Sequence, residues 1–349
     1  IGAYIYDLVF EDNDFFLRSA LDPLRLDAAT LPAILGDVWE ITTAGWHRNT
    51  FQLHAAADGG AGVTPSSMGG SPGGNRTLGW GTLILDNRES DGTIIADVGG
   101  GETPVGVGFD QTTRAVIGGV DVMLPRDANG GTLTFGALLG VVDSTVTFDL
   151  TGNRAELEGP TFGVHMAYTT DLLRANLIVK RDDLDLEYEV AGLGEEPGRT
   201  DAVSTGVSLE FGYKVHEAAG LTVEAVGNLS HVVTRVDDFS VGTSTFSFDD
   251  AETTRGAIGL TFRGNVAAGA LNVIPSATVK YWNVFDAGHS SAIDAVAFSY
   301  DHSGNFVEAS AMLEFDDPAS GWSGFVSGSG FVGNDRGGAR GQIGVNLEW

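Results

Sequence analysis

The sequence contains no cysteine, so no disulfide or thiolate–metal site holds the fold, and passage through an oxidising compartment leaves no thiol to mispair. Cations are scarce: 19 Lys and Arg stand against 47 Asp and Glu, and the net charge of −28 excludes the basic stripes that nucleic-acid binding needs. Long apolar runs are missing as well. None approaches the ~20 residues of a membrane helix, although a transmembrane β-strand would escape notice here because only alternate residues meet lipid. Proline is sparse, while the 50 glycines follow no G-X-Y period, which excludes collagen and favours tight turns and close strand packing. The seven histidines are scattered with no i, i+4 pair, so no zinc site is expected. Ile1 opens directly, without the charged and apolar regions of a signal peptide, and a processed or truncated chain is expected.

What is present is alternation. Near the end of the sequence Ile343, Val345, Leu347 and Trp349 alternate with Gln342, Gly344, Asn346 and Glu348, the period of a strand with one apolar and one polar face. A terminal Trp suits a strand anchored at a lipid–water interface. From Arg76 onward the same period recurs over 76–87, 113–124, 132–149, 155–170, 173–190, 201–215, 220–236, 253–264, 270–286, 304–316, 320–333 and 337–349. That makes twelve strands, an even number, as a single-chain bacterial barrel requires. In one of them Val203, Thr205, Val207, Leu209, Phe211 and Tyr213 oppose Ser204, Gly206, Ser208, Glu210, Gly212 and Lys214. In another Val307, Ala309, Ala311, Leu313 and Phe315 oppose Glu308, Ser310, Met312 and Glu314. Charges on the second face of each belong in a watery lumen, because on the lipid face each costs roughly 2–4 kcal/mol near the midplane.

The connections point the same way. Those at 125–131, 169–172, 216–220, 265–269 and 316–319 are short. They alternate with connections at 88–112, 150–154, 191–200, 237–252, 287–303 and 333–336, most of them longer and polar. Short periplasmic turns and long external loops alternate in this way in outer-membrane barrels. The expected fold is therefore a 12-stranded antiparallel transmembrane β-barrel over 76–349. Three segments precede it. Residues 1–19 carry Tyr4, Tyr6 and Leu8 on one strand face and read as the last piece of a larger β-structure, since one hairpin cannot bury itself. Over 20–48, Asp27 or Thr30 can cap a helix with Pro32 in its first turn, and Ile34, Leu35, Val38, Trp39 and Thr42 recur at helical spacing. Residues 49–75 form a Gly-rich linker, richest in Gly, Ala, Ser and Pro from Ala55.

In this order the segments resemble the C-terminal translocator of the autotransporters, the type V secretion proteins of Gram-negative bacteria. Gly2-Ala-Tyr-Ile-Tyr-Asp-Leu8 with Phe16-Leu-Arg-Ser19 is similar to the final rung of a passenger β-helix. The helix ending near His47-Arg48 resembles the segment that threads the pore, and Gly79-Trp80-Gly81 the start of the first strand. Val116-Ile-Gly-Gly-Val-Asp121, the stretch Gly131 to Gly140, and Gly163-Val-His-Met-Ala-Tyr168 resemble the second, third and fourth strands. Gln342-x-Gly344-x-x-Leu347-x-Trp349 resembles the signal read by the barrel assembly machinery.

The resemblance implies a helix inside the pore, whose polar residues Asp37, Glu40, His47 and Arg48 meet charged lumen groups, here Lys180, Glu210, Lys214, Lys280, Glu308, Glu314 and Arg340. A helix about 10–12 Å across could plug a barrel of this size. It implies an integral outer-membrane location with the N-terminal segment at the cell surface and the C-terminus in the periplasm. The implied partners are outer-membrane lipid and lipopolysaccharide, the barrel assembly machinery, periplasmic chaperones and the chain's own passenger, which crosses as a hairpin and folds outside. No cofactor is implied. The linker is longer than is usual in the family, and Asn49-Thr50 is a poor substitute for the Asn-Asn pair at which some members cut themselves, so self-cleavage of that type is not expected.

Enzymatic readings are weak. Gly69-Gly-Ser-Pro-Gly73 matches G-x-S-x-G but lies in the linker, with Pro72 directly after the serine, rather than between a strand and a helix. Asp182, Asp183, Asp185 and Glu187 have neither the spacing nor the glycine of an EF-hand loop and read as lumen or loop-tip carboxylates. Two other functions stay open: a stand-alone channel for small solutes, and a surface adhesin using the loops 237–252 and 287–303.

Overall fold

The computed structural model describes residues 25–57, 75–98, 101–125, 127, 130–268, 271–294, 296–317 and 320–348. The β-structure expected at 1–19, the G-x-S-x-G stretch and Trp349 lie outside the described residues.

A short 3₁₀ turn, Leu26–Thr30, leads into one helix, α1 (Leu31–Ala57). The helix then runs nine residues beyond the expected end at 48. His47 to Ala57 holds no Gly or Pro, and its three terminal alanines favour helix.

Seventeen strands follow among the described residues, and twelve of them close a barrel: β1 (Arg76–Val98), β2 (Gly101–Met123), β3 (Thr132–Phe148), β4 (Arg154–Thr169), β5 (Leu173–Glu189), β6 (Gly198–Ala218), β7 (Leu221–Val236), β10 (Ala251–Gly264), β12 (Leu271–Asp286), β15 (Gly304–Asp317), β16 (Trp322–Gly333) and β17 (Arg336–Glu348). Each pairs antiparallel with its neighbour, and β17 returns to β1 in register from Leu78↔Glu348 to Ser90↔Arg336. That seam removes the sheet edge, and the Arg76–Glu348 ion pair fastens its lower end. At the lower rim Ala219 and Gly220 both take positive φ, the geometry of a tight two-residue hairpin between β6 and β7.

The connection expected at 88–112 is instead a continuous hairpin, in which β1 and β2 pair without interruption from Arg76↔Met123 to Val98↔Gly101. Its alternation is real but easily missed: Val105, Val107, Phe109, Gln111 and Thr113 are buried, with Gly, Asp and Thr between them. The expected loops 237–252 and 287–303 also carry strands, β8 (Phe239–Val241) with β9 (Ser244–Phe248), and β13 (Gly288–Ile293) with β14 (Val296–Asp301). The remaining strand, β11 (Val266–Ala268), extends the turn before β12.

The polarity of both barrel faces inverts partway up the strands. On the lower part of β5 the outward residues Ala175, Leu177 and Val179 are apolar and the inward Asn176, Lys180 and Asp182 are polar and buried. Higher up, outward positions become Arg181, Asp183, Asp185 and Glu187, while Leu184, Leu186 and Tyr188 turn inward. On β4, Met166, Val164 and Phe162 face out below, and Glu158, Glu156 and Arg154 face out above. Arg114, Asp143, Glu158, Asp185 and Asp201 are aligned across five strands in register. On β2, β3, β4 and β6 the outward face below this row is apolar, as a hydrocarbon surround demands, while on β5 the outward charges begin lower, with the paired Arg181 and Asp183.

The molecule thus has two storeys. The lower one is a membrane barrel with an apolar outside and polar lumen. The upper one has a charged outside and an apolar core that includes Ile94, Phe109, Phe148, Tyr188, Phe246 and Phe298. Strands β15, β16 and β17 are only 14, 12 and 13 residues long, against 23 for β1 and β2. Above them the wall is completed by β14, which pairs with β1 through Ile94↔Tyr300 and Ala96↔Phe298, and by β13, which joins β9. The β8–β9 hairpin meets β6, where Phe239 and Val241 lie against Gly198.

Candidate functional site: the occupied pore

Helix α1 stands inside this barrel and touches β1 through β7 and β10. A helix surrounded by wall strands in this way needs no single apolar stripe. Ile34, Leu35, Val38, Trp39, Ile41 and Trp46 are buried together with Glu40, Thr42, Thr43 and His47. Its N-terminal end meets residues of the outer connections and its C-terminal end leads toward the start of β1 at the short-turn rim. The chain is therefore threaded from the surface storey down through the lumen.

Glycines let it fit. A Cβ on Gly206 would lie 2.8 Å from Trp39 Cζ2 and 2.7 Å from the His231 carbonyl oxygen, so the missing side chain leaves the slot that the Trp39 ring occupies. Trp39 Nε1 donates to the Lys180 carbonyl at 3.0 Å, and the Lys180 ammonium lies 4.8 Å from the Trp39 ring centroid. Lys180 Nζ also donates to Thr42 Oγ1 at 2.7 Å and pairs with Asp182 at 2.5 Å. One buried cation thereby ties helix to wall.

Of the helix's expected polar residues, Asp37 pairs with Arg88 at 2.9 Å and faces His302 at 3.5 Å. Glu40 pairs with Arg255 and accepts from Ser230 Oγ at 2.5 Å. His47 Nε2 lies 3.0 Å from Ser208 Oγ, and Arg48 is 3.8 Å from Glu308. On the wall, Glu210 accepts from Arg174 at 2.7 Å and Lys280 at 2.8 Å, Arg340 donates to Asp86 at 2.7 Å, and Glu314 is 3.7 Å from Arg263. Lys214 sits at the lower rim, paired with Glu217 at 3.1 Å. At the seam Gln342 and Gly344 face inward, with Phe325 packed over Gly344, whereas Leu347 is half-buried on the opposite face.

Alternation alone identifies most wall charges. It does not identify Arg88, Arg255 and Arg336, which approach the helix acids from strands whose inward residues are mixed in character. It also misses the upper contacts. Arg25 binds Glu195 at 3.0 Å and Ser244. Asp27 accepts from Thr151, from the Tyr188 hydroxyl and, at 3.1 Å, from Asn153 Nδ2. Asn153 Nδ2 also lies 2.8 Å from the Tyr188 hydroxyl oxygen, and the Ala29 carbonyl is 2.7 Å from His289 Nε2. Burial pushes the Asp27 carboxyl up to about 6 despite these donors.

The acidic run on β5 is not one cluster. Asp182 faces inward to Lys180, Asp183 faces outward to Arg181 at 2.6 Å, and Glu187 accepts from Arg199 at 2.9 Å. Beside α1 lies a cavity of about 80 Å³ between Glu40, Arg48, Arg255, Lys280, Trp282 and Glu308. That cavity has room for a few water molecules.

A family model described as the autotransporter beta-domain matches residues 95–329. The chain belongs to the autotransporter β-domain family. Among solved structures it is similar to the beta domain of the Bordetella autotransporter BrkA, at 18% identity and a TM-score of 0.59, covering 78% of this chain and 98% of that one. It is also similar to the transport unit of AIDA-I from Escherichia coli (12% identity, TM-score 0.58, 86% and 97% covered) and to the translocator domain of NalP from Neisseria meningitidis (15%, 0.52, 88% and 97%). Comparison with curated protein sequences gives no match.

Proposed function

We propose that this outer-membrane barrel anchors and exports its own N-terminal passenger, and that the helix is the trailing part of that passenger left in the pore. The threading of α1 carries the reading: its N-terminal end lies among surface connections and its C-terminal end leads to the first barrel strand. A chain that had crossed outward would come to rest in this orientation. In this reading residues 1–19 end the passenger β-structure, the segment from 20 to the end of α1 at Ala57 plugs the pore, the residues from there to 75 link on the periplasmic side, and 76–349 form the barrel. Insertion by the barrel assembly machinery, with periplasmic chaperones upstream, would use Gln342, Gly344, Leu347 and Trp349. The motive force would be passenger folding outside, because the chain carries no P-loop and the periplasm supplies no ATP.

An epitope fused before Ile1 tests the reading. It should reach the cell surface when the barrel is intact and stay inside when residues 340–349 are removed. An epitope that stays periplasmic on an assembled barrel contradicts export. The solute-channel alternative is disfavoured by α1, which stands in the lumen against β1 to β7 and β10.

A further inference from the structure

We propose that Thr151, Asn153 and Tyr188 form a carboxyl-reading stop in the upper storey, which halts the outgoing chain when Asp27 enters it. The proposal rests on the export reading above. Between Ala57 and Arg76 lie 18 residues, a tether that can reach roughly 60 Å when extended. The 27-residue helix is itself only about 40 Å long. The tether therefore does not fix how far the helix advances, and contacts must do so.

The charges lower in the lumen are poorly suited to the task. Asp37 and Glu40 lie three residues apart on one helix face, so a slip of one turn brings one acid into the place of the other. Their partners Arg88 and Arg255 are long side chains, and both border the residual cavity. Around Asp27 the register is unambiguous. Three and four residues away stand Leu24, Thr30, Pro23 and Leu31, none of which offers a carboxylate. The site is enclosed, with Asp27 2% exposed and Asn153 and Tyr188 fully buried. Three donors from two elements, the β3–β4 connection and β5, converge on the two carboxylate oxygens.

Flanking residues complete the reading. Leu26, Ala28 and Ala29 fill the apolar core around the site, Arg25 meets Glu195, and the Ala29 carbonyl meets His289. Acids that pass earlier, such as Asp22, have no Leu-x-Ala-Ala frame around them. An acid side chain alone would bind weakly in passing; an acid in this frame seats the chain.

The absence of native cysteine allows a direct register assay. A Cβ on Gly36 would lie 3.7 Å from Thr253 Oγ1, so Gly36→Cys with Thr253→Cys gives a pair that crosslinks only when the helix is at this depth. The readout is crosslink yield in the full chain in outer membranes, with gel-shift of the folded barrel as the assembly control and the epitope before Ile1 as the export control. Asp27→Ala and Asn153→Ala are each expected to lower the yield at least fivefold and to expose the thiol introduced in place of Gly36 to an impermeant maleimide added outside, with the epitope still at the surface. If Asp27→Ala blocks assembly, Thr151→Ala serves instead, with a smaller fall expected. Unchanged yield in these variants overturns the proposal, as does a loss confined to Asp37→Ala and Glu40→Ala. An epitope that never reaches the surface in the parent refutes export, and is distinct from either result because the crosslink reads resting depth alone.

Discussion

At the scale of single residues, the buried polar groups divide into those inside the lipid-embedded barrel and those above it. Lys180 and Asp182 belong to the first set, and both side chains are fully enclosed. Removing one partner leaves an uncompensated buried charge, so Asp182→Ala is expected to destabilise the barrel by roughly 3–5 kcal/mol, whereas Lys180→Met with Asp182→Leu should be close to neutral. Urea unfolding of the barrel in vesicles measures both, and a double variant as weak as the single one would refute the account of the pair. Asp27 belongs to the second set and titrates in an accessible window. Burial raises its pKa from 3.8 to about 6, so the folded state binds the proton more tightly than the unfolded chain does. Stability from this group is fully present below pH ~4 and is lost as pH rises through 6, on the order of 3 kcal/mol across the window. The groups facing it are Thr151, Asn153 and Tyr188, with Arg25, Glu195 and His289 around the same segment. Burial holds Tyr188 above its ordinary range, outside this window, and holds His289 below its own, so His289 contributes in the opposite sense and Asp27→Asn isolates the Asp27 part of the pH dependence. The Gly36–Thr253 crosslink, taken to its end-point, should therefore form more completely at pH 5 than at pH 7.5, and Asp27→Asn should flatten the difference. Lumen charges such as Glu210 and Lys280 are legible in the sequence because they fall on the polar positions of an alternating strand. Asp27 is not, because its partners are 124 and more residues away and nothing local distinguishes it from a helix cap.

At the scale of elements, the strands of the lower storey follow from period-2 alternation. The upper halves of β1 and β2 obey the same period with opposite polarity, and a search for apolar-out strands passes over them as loop. The β13–β14 hairpin is hidden for a related reason. His289, Ser291 and Ile293 are buried while Ser290 is exposed, a weak pattern that acquires meaning only once the short β15–β17 wall leaves a gap to fill. Deleting residues 288–301 should uncover Ile94 and Ala96 and raise binding of an apolar dye several-fold without unseating the lower barrel, checked by fluorescence beside gel-shift. The helix depends on wall glycines that no periodicity marks. Gly206→Val is expected to displace Trp39 and lower the Gly36–Thr253 crosslink several-fold, whereas Gly328→Ala, whose nearest neighbour is the Arg340 carbonyl oxygen at 3.9 Å, should change nothing.

At the scale of the whole molecule, charge and embedding are coupled. The row from Arg114 to Asp201 marks the top of the apolar outer band on β2, β3, β4 and β6, and on β5 the paired Arg181 and Asp183 bring that top lower. Leu139→Arg, on the exposed apolar face of β3, should destabilise the inserted barrel by roughly 2–4 kcal/mol, while Asp143→Arg, four residues higher on the same face, should cost little. The central claim is that the lower storey is a pore and that the chain's own N-terminal segment fills it. Single-channel recording in planar bilayers tests this most directly. The full chain should be essentially closed, and a variant lacking residues 25–57 should show steady openings at least tenfold larger. Equal conductance in the two would contradict the account.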